Sequence, residues 1–155
     1  MKTNRPFPVY ILCTLLLILS ISALAAGFSF ITDPGGKGIG IDLSYISRTP
    51  FKNFLLPGLI LFICIGILPL LVFAGLIFRP EWKAMNLLNI YPNKHWAWTY
   101  SLYSGIVLIA WIAVQITMVD YFFLQPVCIA LGLFILILTL LPSVQEYYTK
   151  EQNHN

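Results

Sequence analysis

Four groups of residues in this chain have types that could carry chemistry: a glycine-rich run around Lys37, two histidines, three cysteines, and a scatter of acids, bases and amides that includes Asp33, Asp42, Arg48, Gln115, Asp120 and Gln125. The run Gly-Gly-Lys-Gly-Ile-Gly from Gly35 to Gly40 invites a phosphate-loop reading, yet it has neither the spacer before Gly-Lys nor a Ser or Thr after it. Flexible turn glycines account for it better. Neither His95 nor His154 falls within a predicted membrane span, so haem ligation by paired histidines and a His-based zinc site are unsupported. Cys13, Cys64 and Cys128 are isolated and each sits within an apolar run, where a small packing residue is the simpler role than thiol–disulfide exchange. No Ser, His and acid constellation is available, and no cofactor is implied.

The elements that would have to position these groups are read from where charge is missing. Pro6 to Thr32, Asn53 to Phe78, His95 to Val119 and Tyr121 to Gln145 contain no Asp, Glu, Lys or Arg, over 27, 26, 25 and 25 residues. A helix needs roughly 20 apolar residues to cross the hydrocarbon core of a bilayer. With 59% hydrophobic and 10% charged residues and a mean hydropathy of +0.84, there is too little polar side chain to wrap a water-soluble core. The expectation is an all-α, four-helix transmembrane bundle forming a single membrane domain, with spans over about 8–30, 50–78, 96–119 and 122–142. An external loop covers 31–49, a cytoplasmic loop 79–95 and a mobile polar tail 143–155. Lys2, Arg5, Arg79, Lys83, Lys94 and Lys150 fall on one side of these spans, and Lys37, Arg48 and Lys52 on the other. Excess base on the cytoplasmic side puts both termini inside and the first loop outside. A net charge of +3 scattered over short loops, without a basic stripe, excludes nucleic acid as the partner.

Within the spans, the pattern is mostly one of packing. Ser22-Ala23-Leu24-Ala25-Ala26 admits signal-peptide cleavage after Ala25, but the apolar stretch runs past that point, and a retained span is favoured. Ser22 with Ala26 and Ala23 with Gly27 are small-xxx-small pairs that allow close helix approach. Thr49 and Pro50 read as N-cap and first residue of the second helix, and Pro57 and Pro69 as kinks that free backbone carbonyls inside it. Asp33-Pro34-Gly35-Gly36 reads as a turn, and Asp42 either sits in a short extended segment or caps one helical turn. Trp82, Met85 and Leu88 suggest a short interfacial helix, with Tyr91, Trp96, Trp98 and Tyr100 as an aromatic belt matched outside by Tyr45 and Tyr121.

Ser101, Ser104, Leu108, Trp111, Gln115 and Met118 share one face of the third span, and Gln125, Cys128, Gly132 and Thr139 one face of the fourth. These faces should meet, as helix glue in preference to a ligand groove. Asp33, Asp42, Arg48, Gln115, Asp120 and Gln125 gather by topology at the external end. They could hold a headgroup, a small polar ligand or a partner's loop, although ordinary solvated loop charges explain them as well. No Asp, Glu, Lys or Arg lies at a membrane centre, which argues against ion-coupled transport.

The stretch Asp33 to Gly40, then Thr49-Pro50-Phe51-Lys52-Asn53-Phe54-Leu55-Leu56-Pro57-Gly58, together with Trp111 and Gln115 and the Leu124-Gln125-Pro126 opening, resembles a family of small uncharacterised bacterial four-helix integral membrane proteins. That resemblance implies the same topology and no catalytic role. The expected function is a non-enzymatic interaction or accessory protein of the bacterial cytoplasmic membrane, embedded in lipid and contacting another membrane protein or itself. The alternative is a small channel or carrier with a polar site near Gln115 and Gln125, beside a proline-broken second span. An enzyme using Asp33, Asp42 or Asp120 would need an enclosed external cavity.

Overall fold

The computed structural model describes residues 4–150, which are helical apart from their loops. The helices are α1 (Phe7–Thr32), α2 (Leu55–Ile60), a π-helical segment (Leu61–Ile67), α3 (Leu68–Phe78), α4 (Lys83–Asn86), α5 (Trp96–Met118), α6 (Leu124–Leu140) and α7 (Pro142–Tyr147). Phe7–Thr32, the continuous stretch Leu55–Phe78 and Trp96–Met118 are each long and apolar enough to cross a membrane. The fourth apolar helix is shorter than 122–142. It ends at Leu140 because Pro142 forces Leu141 into an extended conformation, with ψ 135°.

α1 is the central packing element, in contact with α2, the π segment, α3, α6 and α7. Its buried residues Val9, Leu12, Cys13, Leu16, Ser20, Ala23 and Gly27 recur every three or four positions, one face of a helix. Of the two small-residue pairs, only Ala23 and Gly27 face the bundle, and Ser22 and Ala26 are exposed. Gly27 lies so close to α2 and the start of the π segment that a methyl group there would stand 2.9 Å from the Gly58 carbonyl oxygen and 2.8 Å from the Phe62 backbone nitrogen. Large apolar side chains such as Ile18, Phe28, Ile63, Ile106 and Phe134 point outward. Such a belt is an aggregation hazard in water and an ordinary surface in lipid.

The second span begins later than its proline suggested. Thr49 Oγ1 accepts a hydrogen bond from Phe51 N in a local turn instead of capping a helix, and the chain coils until Leu55. Pro57 therefore falls in the first turn of α2, where a missing N–H breaks no helical bond, and it is not a kink. Pro69 does mark the irregularity: it follows directly on the π segment, which absorbs the bond that the proline cannot donate. There the buried Ser20 hydroxyl of α1 donates to the Gly66 carbonyl at 2.8 Å, so a backbone acceptor at this depth is met by protein.

α5 and α6 pack as an antiparallel pair, with Ser101 of the predicted α5 face and Gly132 and Thr139 of the predicted α6 face at the contact, beside Trp98, Gly105 and Ile109, while Ser104 bonds back to the Tyr100 carbonyl of its own helix. Gly105 and Gly132 set the close crossing, with a methyl on Gly105 placed 3.0 Å from the Gly132 carbonyl oxygen. Beyond it, Ser101 and Thr139 hydroxyls lie 3.1 Å apart and Trp98 Nε1 donates to the Thr139 carbonyl. Trp96, Trp98 and Tyr100 are thus core residues and not an interfacial belt. Nor does the tail hang free over 143–150: α7 folds back on the bundle, burying Val144 and Tyr148. The remainder of the expected mobile tail, 151–155, lies outside the described residues.

Candidate functional site

The six predicted site residues occupy one end of the bundle, the end that carries the 33–54 loop, but do not converge on a common ligand position. Asp33 accepts from Gly38 N at 2.6 Å and Asp42 from Ser44 N at 2.7 Å, each holding its own turn. That amide bond keeps the Asp42 carboxyl below the usual carboxylate range. The hydrogen bond selects the capped helical turn at Leu43–Ile46 over the extended alternative. Arg48 reaches Asp120 at 3.4 Å across the α5–α6 turn, with both side chains nearly fully solvated. Gln125 is buried and folds its Oε1 back to Phe122 N, at 3.3 Å, on its own helix start. Gln115, half-buried, makes no side-chain hydrogen bond among the described residues. A wide recess beside Asp42, about 500 Å³, is bordered by Gly35, Lys37 and Gly40, but the acid is already committed to Ser44. Asp42 and Asp120 are exposed and Asp33 is held in its turn, so the three carboxylates share no enclosed cavity.

The organised polar cluster is at the opposite end, where the chain tail docks. It is built on a helix end that needs partners. α3 stops at Phe78 because Arg79 turns left-handed, with φ 51°, and Pro80 follows. The last carbonyls of such a helix have no donor within it. Here Arg5 donates to the Ile77 carbonyl at 2.6 Å and the Tyr148 hydroxyl to the Leu76 carbonyl at 2.8 Å. The Trp96 indole N–H takes the Pro80 carbonyl at 2.7 Å, while the ring stacks on Trp82, centroids 5.6 Å apart. Burial pushes the Tyr148 phenol well above its ordinary value, so it is a donor at any physiological pH.

The end of α7 is fastened to the segment leading into α5 by two backbone bonds, at Asn93 and at His95. His95 N donates to the Tyr148 carbonyl and Lys150 N to the Asn93 carbonyl, both at 2.9 Å. Lys94 Nζ donates to the Gln145 carbonyl and the Thr149 hydroxyl, occupying free acceptors at the end of α7. Arg79 lies over the Tyr147 ring at 3.8 Å and donates to the Tyr147 carbonyl at 2.9 Å. The result is a recess of about 180 Å³ bounded by Arg79, Glu81, His95, Tyr148 and Lys150.

His95 is the unusual member. It is only 6% exposed, and its Nδ1 accepts from Ala97 N at 3.2 Å as the N-cap of α5. An accepting Nδ1 puts the single proton of the neutral ring on Nε2. That atom is buried with no hydrogen-bond partner among the described residues, and the nearest carboxylate oxygen, Glu81 Oε1, is 4.0 Å away. Burial lowers the His95 pKa; Glu81 and the Pro80 carbonyl oppose the shift, and Arg79 and Lys150 add to it. Sequence position alone puts His95 in the cytoplasmic loop 79–95, and Tyr148 and Lys150 in the polar tail 143–155. The available signal was the apolar spacing of Val144 and Tyr148, one helical turn apart beyond Pro142.

No family model, no curated protein and no solved structure matches this chain. The tail-end cluster must therefore be judged by its own geometry. Its recess has one buried donor without a partner, His95 Nε2–H, and two cations, Arg79 and Lys150, on the rim, without a nucleophile placed against a base among the described residues. Among the described residues no group of His, Cys, Asp and Glu is arranged to hold a metal ion. This arrangement can bind; it has no evident reaction.

Proposed function

We propose that this protein is a four-span integral protein of the bacterial cytoplasmic membrane, of the small four-helix kind it resembles, and that it acts by contact with another membrane helix. In this reading α6, 17 residues long, completes the fourth crossing with help from Phe122, Phe123 and local bilayer thinning. Three long apolar helices and an outward belt of large apolar side chains support a lipid setting. Both termini inside, the orientation favoured by the basic residues, would put the tail-end cluster at the cytoplasmic headgroups.

The observation that carries the contact reading is the outer face of α1. The other small-residue seams, at Gly27, Gly58, Gly66, Gly105 and Gly132, are filled by neighbours within the chain. Ser22, Ala25 and Ala26 remain exposed on one stripe, and the Thr14 and Ser29 hydroxyls beside it bond back to their own helix, to the Tyr10 and Ala25 carbonyls. A flat stripe of this kind suits a second helix. The channel alternative gains no comparable support, because Gln125 is committed to its own helix start and the broken turn of the second span faces α1. In-membrane crosslinking of wild type and the Ser22→Leu/Ala26→Leu variant tests the reading. A crosslinked partner or dimer present in wild type and lost in the variant, at unchanged melting temperature, is the expected result; a wild-type protein that stays a lone monomer overturns it.

A further inference from the structure

We propose that the tail-end recess between Arg79, His95 and Lys150 binds a phosphate group, carried by a phospholipid headgroup or free in solution. The site is built from three different donors that the fold leaves incomplete. His95 Nε2–H is buried and unanswered among the described residues, although the same ring's Nδ1 is satisfied. A buried donor without an acceptor is costly, so an oxygen brought to it is favourably received. Arg79 is held in place by its stack on Tyr147 and gives one N–H to the Tyr147 carbonyl, leaving further guanidinium donors for an oxyanion. Lys150 donates its backbone N–H to Asn93, which fixes its position on the rim, while its ammonium makes no hydrogen bond among the described residues.

The backbone of the recess is fixed before any ligand arrives, because His95 N to Tyr148 O ties one side to the other, and the recess, about 180 Å³, has room for a phosphate and part of its ester. Nε2 itself lies just beneath the rim, so a ligand oxygen reaches it as the solvated Glu81 side chain gives way. The Pro80 carbonyl, the nearby backbone acceptor, gives one lone pair to Trp96 and favours the charged His95 ring, but it does not meet Nε2–H in hydrogen-bond geometry. Glu81 is the one acid on the rim. At 4.0 Å from Nε2 it is too far to be its hydrogen-bond partner, and it is largely solvated. Its charge disfavours a dianion and suits a singly charged phosphodiester whose far end carries an ammonium, as in an ethanolamine headgroup. The lipid source rests on the membrane reading above; the free ion does not.

The test uses the full chain in mild detergent with three phosphate-bearing probes: inorganic phosphate, phosphatidylethanolamine and phosphatidylglycerol. Diacylglycerol of the same acyl chains is the control. The readout is the His95 Nε2–H proton resonance, assigned by its loss in His95→Gln, with the melting temperature alongside. At least one phosphate probe is expected to shift the resonance saturably while diacylglycerol does not, and Lys150→Gln is expected to weaken that binding about tenfold. Lipid active and inorganic phosphate silent assigns a headgroup; the reverse assigns a free ion. Glu81→Gln should narrow any preference for ethanolamine over glycerol headgroups. Arg79→Gln also removes contacts to α7 and can unfold it, so Lys150→Gln, on the rim, is the deciding variant. No shift with any phosphate probe, an equal shift with diacylglycerol, or wild-type affinity in Lys150→Gln overturns the proposal.

Discussion

The two ends of the bundle use charged and polar side chains in opposite ways. At the 33–54 loop end, each acid holds its own few residues: Asp33 serves Gly38, Asp42 serves Ser44, and the one link between elements, Arg48 to Asp120, is solvated. At the tail end, Arg5, Arg79, Lys94 and Tyr148 all bond to backbone carbonyls of distant elements. Local capping lets a loop keep its shape with little effect on the bundle, whereas long-range capping makes the tail part of it.

The sharpest way to break the contrast is at Tyr148. Tyr148→Ala removes a buried ring and leaves the Leu76 carbonyl without its donor, and should cost about 3–5 kcal/mol. Denaturant unfolding in detergent measures it; a loss under about 1 kcal/mol would mean that the tail is not integral to the fold. Next is the α1–α2 seam, which closes just beneath the 33–54 loop through the Phe30–Phe54 stack. Gly58→Ala puts a methyl 2.6 Å from Phe30 Cβ and should lower stability by about 1–3 kcal/mol. Thermal unfolding checks this, and no change would show that the seam can open freely.

Acid should then loosen one end only. His95 has a folded pKa below its usual 6.5, so the unfolded chain binds the extra proton first. The stability His95 contributes is complete above about 6.5 and is lost as pH falls toward the folded value. The proton can enter only at Nδ1, which ends its acceptance from Ala97 N and puts a positive charge at a helix N-terminus. Amide exchange at Ala97 and Tyr148 should therefore accelerate on going from pH 7.5 to 5 more than at Ser44, after correction for intrinsic rates, and His95→Asn should remove the difference. Equal acceleration at both ends would erase the distinction. The smallest effect belongs to Arg48→Gln or Asp120→Asn, each expected within about 0.5 kcal/mol and abolished by salt.

How much of this was legible depended on whether the determinant was local. Charge-free windows located the apolar helices because a lipid-facing turn excludes charge residue by residue. Helical spacing put Ser101, Gly132 and Thr139 on the α5–α6 seam, whereas the residues around Asp42 fit an extended segment and a capped turn equally, and the Ser44 N–H bond decides between them. Thr49-Pro50 misled because the same dipeptide also serves a tight turn, and only the packing of Phe54 on Phe30, centroids 5.0 Å apart, settles where the helix begins. The tail-end site was invisible for a stronger reason. Its residues come from Arg5, the 79–95 segment and the C-terminal helix, and what joins them is the set of unpaired carbonyls at the end of α3, which no side-chain pattern records.

The π segment has a consequence for how this chain tolerates length changes. A wide turn holds about one residue more than an α-helix needs over the same rise. Deleting a single residue such as Ile63 could be absorbed by tightening the turn, with Val72 and Leu76 still facing α1 and α5. The same deletion in the middle of α5 has no slack to draw on and would swing every later side chain by about 100°. The second span thus carries its own spare residue, latched by Ser20, and is the place in this molecule where a register could shift by one and leave both flanks in their seats.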